Sequence, residues 1–361
     1  MNEADARVAA AIAHWAPRFV ANGVPLSDFQ EVTASCERWE DWCRLWSERA
    51  AIHEELGATA LSQGNTLTAA SHYTRAAVCY HFGKFLFVID PAQMKRAHMK
   101  AVECRNRALP YLQPPGERVA IPYEGKHLFG NLRKPAGASR APVVVMCMGL
   151  DSAKEEMNDY EERFLARGLA TLAFDGPGQG EAEYDFAICP EYEKPVKAVF
   201  DWLETRLDVD AKRAGIWGVS LGGYYAPRAA AFERRAKACV ALSGPYARSE
   251  SFEGRPSINV ETFRVRAKCA TLEEAGKVAL RMSLKGVAKN ITCPIYIVAG
   301  TKDRLTPHTE AEKLAAEVSG PCVLSVIEGG NHVVNNLWYR YRDQTADWMA
   351  LQLAAGGTKV R

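Results

Sequence analysis

The chain reads as an α/β protein: a mostly parallel sheet covered by helices, with a helical N-terminal region and a helical insertion. Three observations predict this. Turn signals are sparse before about residue 115, and apolar residues there recur at helical spacing. Beyond Pro115, short apolar runs alternate with amphipathic helical segments, the pattern of strands buried on both faces. Finally, Gly215–Gly223 (GIWGVSLGG) reads as a strand that turns abruptly into a helix with a serine at the apex.

The elements follow in order. Residues 1–115 form a helical cap region, with Val8, Ala11, Ile12 and Trp15 on one apolar face and Leu45, Ala50, Ile52 and Leu56 on another. Tryptophans 15, 39, 42 and 46 thicken those faces. Gly64-Asn65 separates two helical stretches as in one tetratricopeptide unit, but no second copy recurs at a fixed period. A further helix spans Ala92 to Leu109 and is closed by Pro110 and Pro114-Pro115. Residues 116–246 form the first part of the α/β core. It opens with a hairpin of Val119–Tyr123 and Leu128–Leu132 around Glu124-Gly125-Lys126, followed by runs at Val143–Met148, Ala170–Phe174, Ala214–Trp217 and Ala238–Leu242. Residues 247–290 are too long for one strand–helix connection and helical in content, which predicts a lid insertion. Residues 291–361 complete the core with runs at Ile295–Ala299 and Val323–Ile327.

Bulk properties exclude several classes. Lys plus Arg total 45 against 43 acidic residues, a net charge of +2 without like-charge blocks, which argues against nucleic acid or a membrane surface as partner. The ten cysteines include no C-x-x-C pair, so no zinc or thioredoxin-type site is indicated, and reduced buried thiols fit a cytoplasmic protein. The N-terminus carries no apolar leader, and the longest apolar run, Ala141–Leu150, is about half a membrane span. Gly176, Gly178 and Gly180 match neither the P-loop nor the dinucleotide spacing, so a structural turn is expected there and no cofactor is implied.

The candidate chemistry centres on Ser220. Gly218-Val219-Ser220-Leu221-Gly222 fits G-x-S-x-G, in which a strained turn lifts the serine Oγ above the sheet. Acyl transfer further needs a base, an acid that orients it and donors for a developing oxyanion. Asp303 follows the Ile295–Ala299 strand, at the rim where ligands bind in such sheets. His332 follows the last strand within Glu328-Gly329-Gly330-Asn331 and is the candidate base among eight histidines. The expected oxyanion donors are the N–H of Leu221 and, from the Gly149-Leu150 loop after the first central strand, that of Leu150.

These residues carry a resemblance. The elbow Gly218–Gly223, the loop Gly149–Glu156, the run Phe174–Gly180 and Tyr80-His81-Phe82-Gly83-Lys84 resemble α/β-hydrolases. More narrowly, they resemble the 2,6-dihydroxypseudooxynicotine hydrolase branch, which includes fungal polyketide-shortening hydrolases. The chain order Ser220, Asp303, His332 matches that superfamily. The resemblance implies retro-Claisen hydrolysis of a carbon–carbon bond next to a ketone, in an aromatic ketone or diketone. It implies a homodimer and a lid glutamate, for which Glu250 and Glu253 are both candidates. Elbow, acid and base do not separate this chemistry from ester, lactone or thioester hydrolysis. A non-catalytic interaction protein on the same fold is a further alternative, against which the three intact residues speak. Tyr246, Phe252, Phe263, Tyr80, Phe82 and Phe85 are candidates for an apolar pocket, and equally for core contacts.

Overall fold

Amphipathic periodicity in the first hundred residues becomes five helices. The computed structural model describes residues 5–251 and 256–354, without the side chains of residues 250 and 251. It divides into two compact units: Met1–Arg118 with Glu155–Asp159, and Val119–Lys154 with Tyr160–Arg361.

In the helical unit, α1 (Ala6–Ala21) begins where the Asp5 side chain accepts the Arg7 N–H at 2.8 Å. It is followed by α2 (Leu26–Ser35), α3 (Trp42–Ser62), α4 (Thr66–Lys84) and α5 (Pro91–Ala108). Phe19 sits at the centre of an aromatic core, stacked on Phe82 at 3.7 Å and edge-on to Phe29, Phe85 and Trp42. Phe82 and Phe85 are therefore core residues. The four tryptophans are buried as expected, but Ile52 and Leu56 are not: they are 49% and 45% exposed. The buried stripe of α3 runs instead through Trp42, Trp46, Ala50, Gly57 and Ala60. Gly57 sits against the Tyr73 ring of α4, where an added Cβ would come to 3.0 Å.

A buried ionic cluster closes this unit. Arg18 donates to both Glu156 oxygens at 2.7 Å, and His81 Nε2 and Asn22 also contact that carboxylate. Burial alone would raise the Glu156 pKa, but the Arg18 charge and hydrogen bonds, with those of His81, hold it far below its ordinary 4.5.

The second unit holds an eight-stranded sheet. Its strands are β1 (Gly116–Tyr123), β2 (Lys126–Arg133), β3 (Ala141–Cys147), β4 (Ala170–Phe174), β5 (Val209–Val219), β6 (Ala236–Leu242), β7 (Ile295–Gly300) and β8 (Cys322–Ile327). The order is β1-β2-β4-β3-β5-β6-β7-β8, antiparallel where β2 meets β4 and parallel from β4 to β8. Glu124 and Gly125, at φ 45° and 76°, supply the two left-handed residues of the tight β1–β2 turn. The helices are α6 (Asn158–Leu165), α7 (Glu193–Glu204), α8 (Gly222–Ala230), α9 (Ser257–Arg266), α10 (Leu272–Arg281), α11 (His308–Glu317) and α12 (Arg342–Leu353).

The long connection between β6 and β7 contains α9 and α10, in line with its helical texture. Thr271 caps α10 by accepting the Glu274 N–H, and the Glu274 carboxylate accepts the Ala270 N–H in return. Phe263, Ala275, Ala279, Met282 and Leu284 from this connection join the hydrophobic core of the sheet unit. No described helix is long and apolar enough to cross a membrane.

Replacing Arg18 by Met strands the buried Glu156 carboxylate and is expected to cost about 3–5 kcal/mol, read from urea unfolding at pH 7. Because its folded pKa is depressed, Glu156 contributes stability above 4.5 that is lost as pH falls below that value. The wild type should therefore lose more stability between pH 4.5 and 2 than Glu156→Gln does.

Candidate active site

Ser220 stands between β5 and α8 with φ 56°, in the left-handed region that a serine seldom adopts. Such a conformation costs about 1–3 kcal/mol and persists only when the surroundings fix it. Two backbone bonds do so: the Ser220 N–H donates to the Leu242 carbonyl at 2.8 Å, and the Gly223 N–H donates to the Ser220 carbonyl at 2.8 Å. Glycine is required on either side by close approach. A Cβ on Gly218 would overlap the Gly222 carbonyl, and one on Gly222 would overlap the Cys147 carbonyl at the end of β3. The turn is thus wedged between two strands, and the serine side chain is left half-buried above them.

Asp303 follows β7, and its Oδ1 accepts the backbone N–H groups of Leu305 and Thr306, each at 2.9 Å. Those bonds fix the direction of the carboxylate. His332 follows β8, and the two loops are stitched together by Thr301 N–H to the Ile327 carbonyl (3.1 Å) and Lys302 N–H to the Gly330 carbonyl (2.8 Å). His332 Nδ1 lies 2.8 Å from Asp303 Oδ2 and 3.0 Å from Oδ1, while Nε2 lies 2.8 Å from Ser220 Oγ. Residues from three loops, 112 and 29 positions apart, thus form one continuous hydrogen-bonded chain. With Nδ1–H given to the carboxylate, Nε2 is left as an acceptor for the serine proton.

A residue not anticipated from the sequence braces the histidine. Val333 and Val334, just past His332, both have positive φ (60° and 53°), costly for β-branched side chains. The Val333 N–H donates at 3.1 Å to Ser243 Oγ, and Ser243 is itself left-handed at φ 47° at the end of β6. Its position one residue beyond an apolar strand is the only sequence signal it carries.

Gly149 lies against Ser220: a Cβ there would sit 3.1 Å from Ser220 Cβ. The Gly149-Leu150 loop therefore borders the serine, as does Leu221, the residue after it. His308 is held apart at the start of α11, with its Nε2 3.9 Å from Glu312. Tyr246 is half-buried, its N–H donating to Glu310, and Phe263 is fully buried in the core. Glu253 and Phe252 lie outside the described residues, as does the Glu250 side chain.

A Ser–His–Asp chain on a strand–turn–helix elbow, at the carboxyl ends of parallel strands, is the arrangement of an α/β-hydrolase. The model of a family described as "Esterase FrsA-like" matches residues 29–354. The chain belongs to that family. It is 33% identical over 344 residues to 2,6-dihydropseudooxynicotine hydrolase of Paenarthrobacter nicotinovorans, covering 94% of this chain and 92% of that protein. The crystal structure of 2,6-dihydroxy-pseudo-oxynicotine hydrolase superposes with a TM-score of 0.86, at 31% identity, over 94% of this chain and 96% of that one. The 20-hydroxy-prefusarin hydrolase FUS2 of Gibberella moniliformis is 32% identical over 220 residues, 57% of this chain and 52% of that protein. The chain spans about half the length of such fungal relatives. AbyA5, at 20% identity and a TM-score of 0.67, shares the fold. The fold expected from the sequence and the resemblance that accompanied it both hold, and the protein is a hydrolase.

Ser243→Ala leaves the buried Val333 N–H without its acceptor, expected to cost about 1–3 kcal/mol in urea unfolding. It should also lower kcat, because the strained turn that aims His332 loses its brace.

Proposed function

We propose that this hydrolase cleaves a carbon–carbon bond next to a ketone in an aromatic or polyketide-like substrate, using Ser220, His332 and Asp303. The observation that carries the serine mechanism is the unbroken chain Ser220 Oγ–His332 Nε2 and His332 Nδ1–Asp303 Oδ2, each link 2.8 Å. A binding module has no use for a strained serine aligned on a buried imidazole and carboxylate. Support for the carbon–carbon specificity comes from the likeness to the pseudooxynicotine hydrolase along nearly the whole chain, the helical region included.

In this reading His332 takes the proton of Ser220 Oγ, or of a water held beside it, as the oxygen adds to the ketone carbon. The N–H groups of Leu221 and Leu150 hold the resulting oxyanion. Collapse breaks the bond to the neighbouring carbon, whose electron pair is delocalised into an electron-rich ring or a second carbonyl. His332 returns its proton to that carbon. When Ser220 is the attacking group, water then enters by the same route and releases the carboxylic acid. A glutamate of the lid, Glu250 or Glu253, is a second candidate proton donor. The partner this reading needs for turnover is the small-molecule substrate. A homodimer and a cytoplasmic location belong to the same proposal, the latter supported by ten cysteines of which none is in a disulfide.

A second reading, carboxylic ester hydrolysis, is favoured by the family's description as esterases. Both reactions pass through a tetrahedral oxyanion, so products decide between them. Incubating the enzyme with aryl β-diketones, acylated polyphenols and simple esters, followed by mass spectrometry, is expected to give paired acid and carbon-protonated fragments. Turnover of the esters alone contradicts the carbon–carbon reading. Asp303→Asn, which favours the wrong imidazole tautomer, is expected to lower kcat by roughly 10³–10⁴-fold with little change in KM.

A further inference from the structure

The loop after β4 carries a glycine at every second position, and in each case something else fills the space. A Cβ on Gly176 would overlap the Tyr192 hydroxyl, one on Gly178 would lie 2.6 Å from Ile188 Cγ1, and one on Gly180 would overlap the Asp175 carboxylate. The loop is compressed so far that Gln179, 1% exposed, reaches across to the loop after β3. Its amide is fully used there. Nε2 donates to the Met148 carbonyl at 2.5 Å and the Gly149 carbonyl at 2.8 Å. Oε1 accepts the Gly176 N–H at 3.2 Å and the Tyr192 hydroxyl at 2.6 Å. Two carbonyls on one side and two donors on the other admit a single orientation of this amide.

That arrangement has a geometric consequence for the neighbouring peptide. A trans peptide is planar, so the Gly149 carbonyl and the Leu150 N–H point to opposite sides. With the carbonyl drawn towards Gln179, the Leu150 N–H must project away from it. The same stretch of backbone lies against the nucleophile, since a Gly149 Cβ would be 3.1 Å from Ser220 Cβ. A second tether keeps the far end of the loop in place: Asp175 accepts the Lys154 N–H at 3.0 Å, its ammonium at 2.7 Å and the Glu181 N–H at 2.9 Å.

We infer that Gln179 is a positioning residue that sets the plane of the Gly149–Leu150 peptide and thereby aims the Leu150 N–H at the oxyanion formed above Ser220. This rests on the serine mechanism proposed above. It also gives a purpose to the glycine spacing, which brings a glutamine amide to a buried backbone rather than a phosphate to an exposed one.

Gln179→Met keeps the length of the side chain and removes both donors. With a substrate identified by the product panel, kcat is expected to fall by roughly 10–100-fold, short of the ~10²–10³ lost when an oxyanion donor is deleted outright. KM should stay within roughly twofold, and the affinity of an aryl trifluoromethyl ketone, which mimics the tetrahedral oxyanion, should weaken by the same factor as kcat/KM. Tyr192→Phe leaves the glutamine but removes the hydroxyl that orients its oxygen, and should produce a smaller change in the same direction. It keeps the test available if Gln179→Met does not fold. Unchanged kcat and ketone affinity in a folded variant overturn the positioning role, as does a fall in melting temperature with neither quantity altered. Ser220→Ala measured in parallel separates the two levels. Activity lost there with wild-type ketone affinity in Gln179→Met rejects the inference alone, whereas activity retained in Ser220→Ala rejects the serine mechanism and the inference with it.

Discussion

The left-handed turn at Ser220 is the constraint on which the rest of the sheet unit depends. A serine at φ 56° is unfavourable in isolation by about 1–3 kcal/mol, and within the turn only the hydrogen bond from the Gly223 N–H to the Ser220 carbonyl opposes that. The neighbours do the rest. Gly218 and Gly222 let the turn sink between β3 and β6 until backbone meets backbone, and the Leu242 carbonyl at the end of β6 takes the Ser220 N–H. The sheet must therefore be parallel and in register at this point for the serine to be raised at all. The pairing of Gly218 with Cys147 on one side and Ala241 on the other supplies that register.

Strain recurs along the same rim of the sheet. Ser243, Val333 and Val334 are also left-handed, and the bond from Val333 N–H to Ser243 Oγ joins two of the strained segments. A loop so constrained has few alternative conformations, which suits an imidazole that must meet a carboxylate and a serine at 2.8 Å. Buried hydrogen bonds tie these loops down: Asp303 to the backbone of Leu305 and Thr306, Gln179 to Met148 and Gly149, Asp175 to Lys154.

Much of this was legible in the chain. The sheet strands stood out because runs such as Val143–Met148 are buried on both faces and hence uninterrupted by polar residues. The places of Ser220, Asp303 and His332 were legible because each depends on a local signal: glycines two residues either side of a serine, or a polar residue just past an apolar strand. Ser243 and Gln179 were not, because their roles lie in bonds to residues 90 and about 30 positions away that leave no periodicity. In the helical unit Ile52 and Leu56 matched an amphipathic pattern yet face solvent. At Gly57 the Tyr73 ring of α4 takes the space that a side chain would need, and the buried stripe of α3 runs through that glycine. Hydropathy ranks size and apolarity, and cannot register a site where the absence of a side chain makes the contact.

The proposed serine mechanism requires Ser220 to be an activated nucleophile. Treatment of the purified enzyme with a fluorophosphonate, followed by peptide mass spectrometry, tests that most directly. One stoichiometric adduct on the peptide containing Ser220, formed far more slowly in His332→Ala, is the predicted result. No adduct on Ser220, or one that forms equally fast without His332, would contradict it.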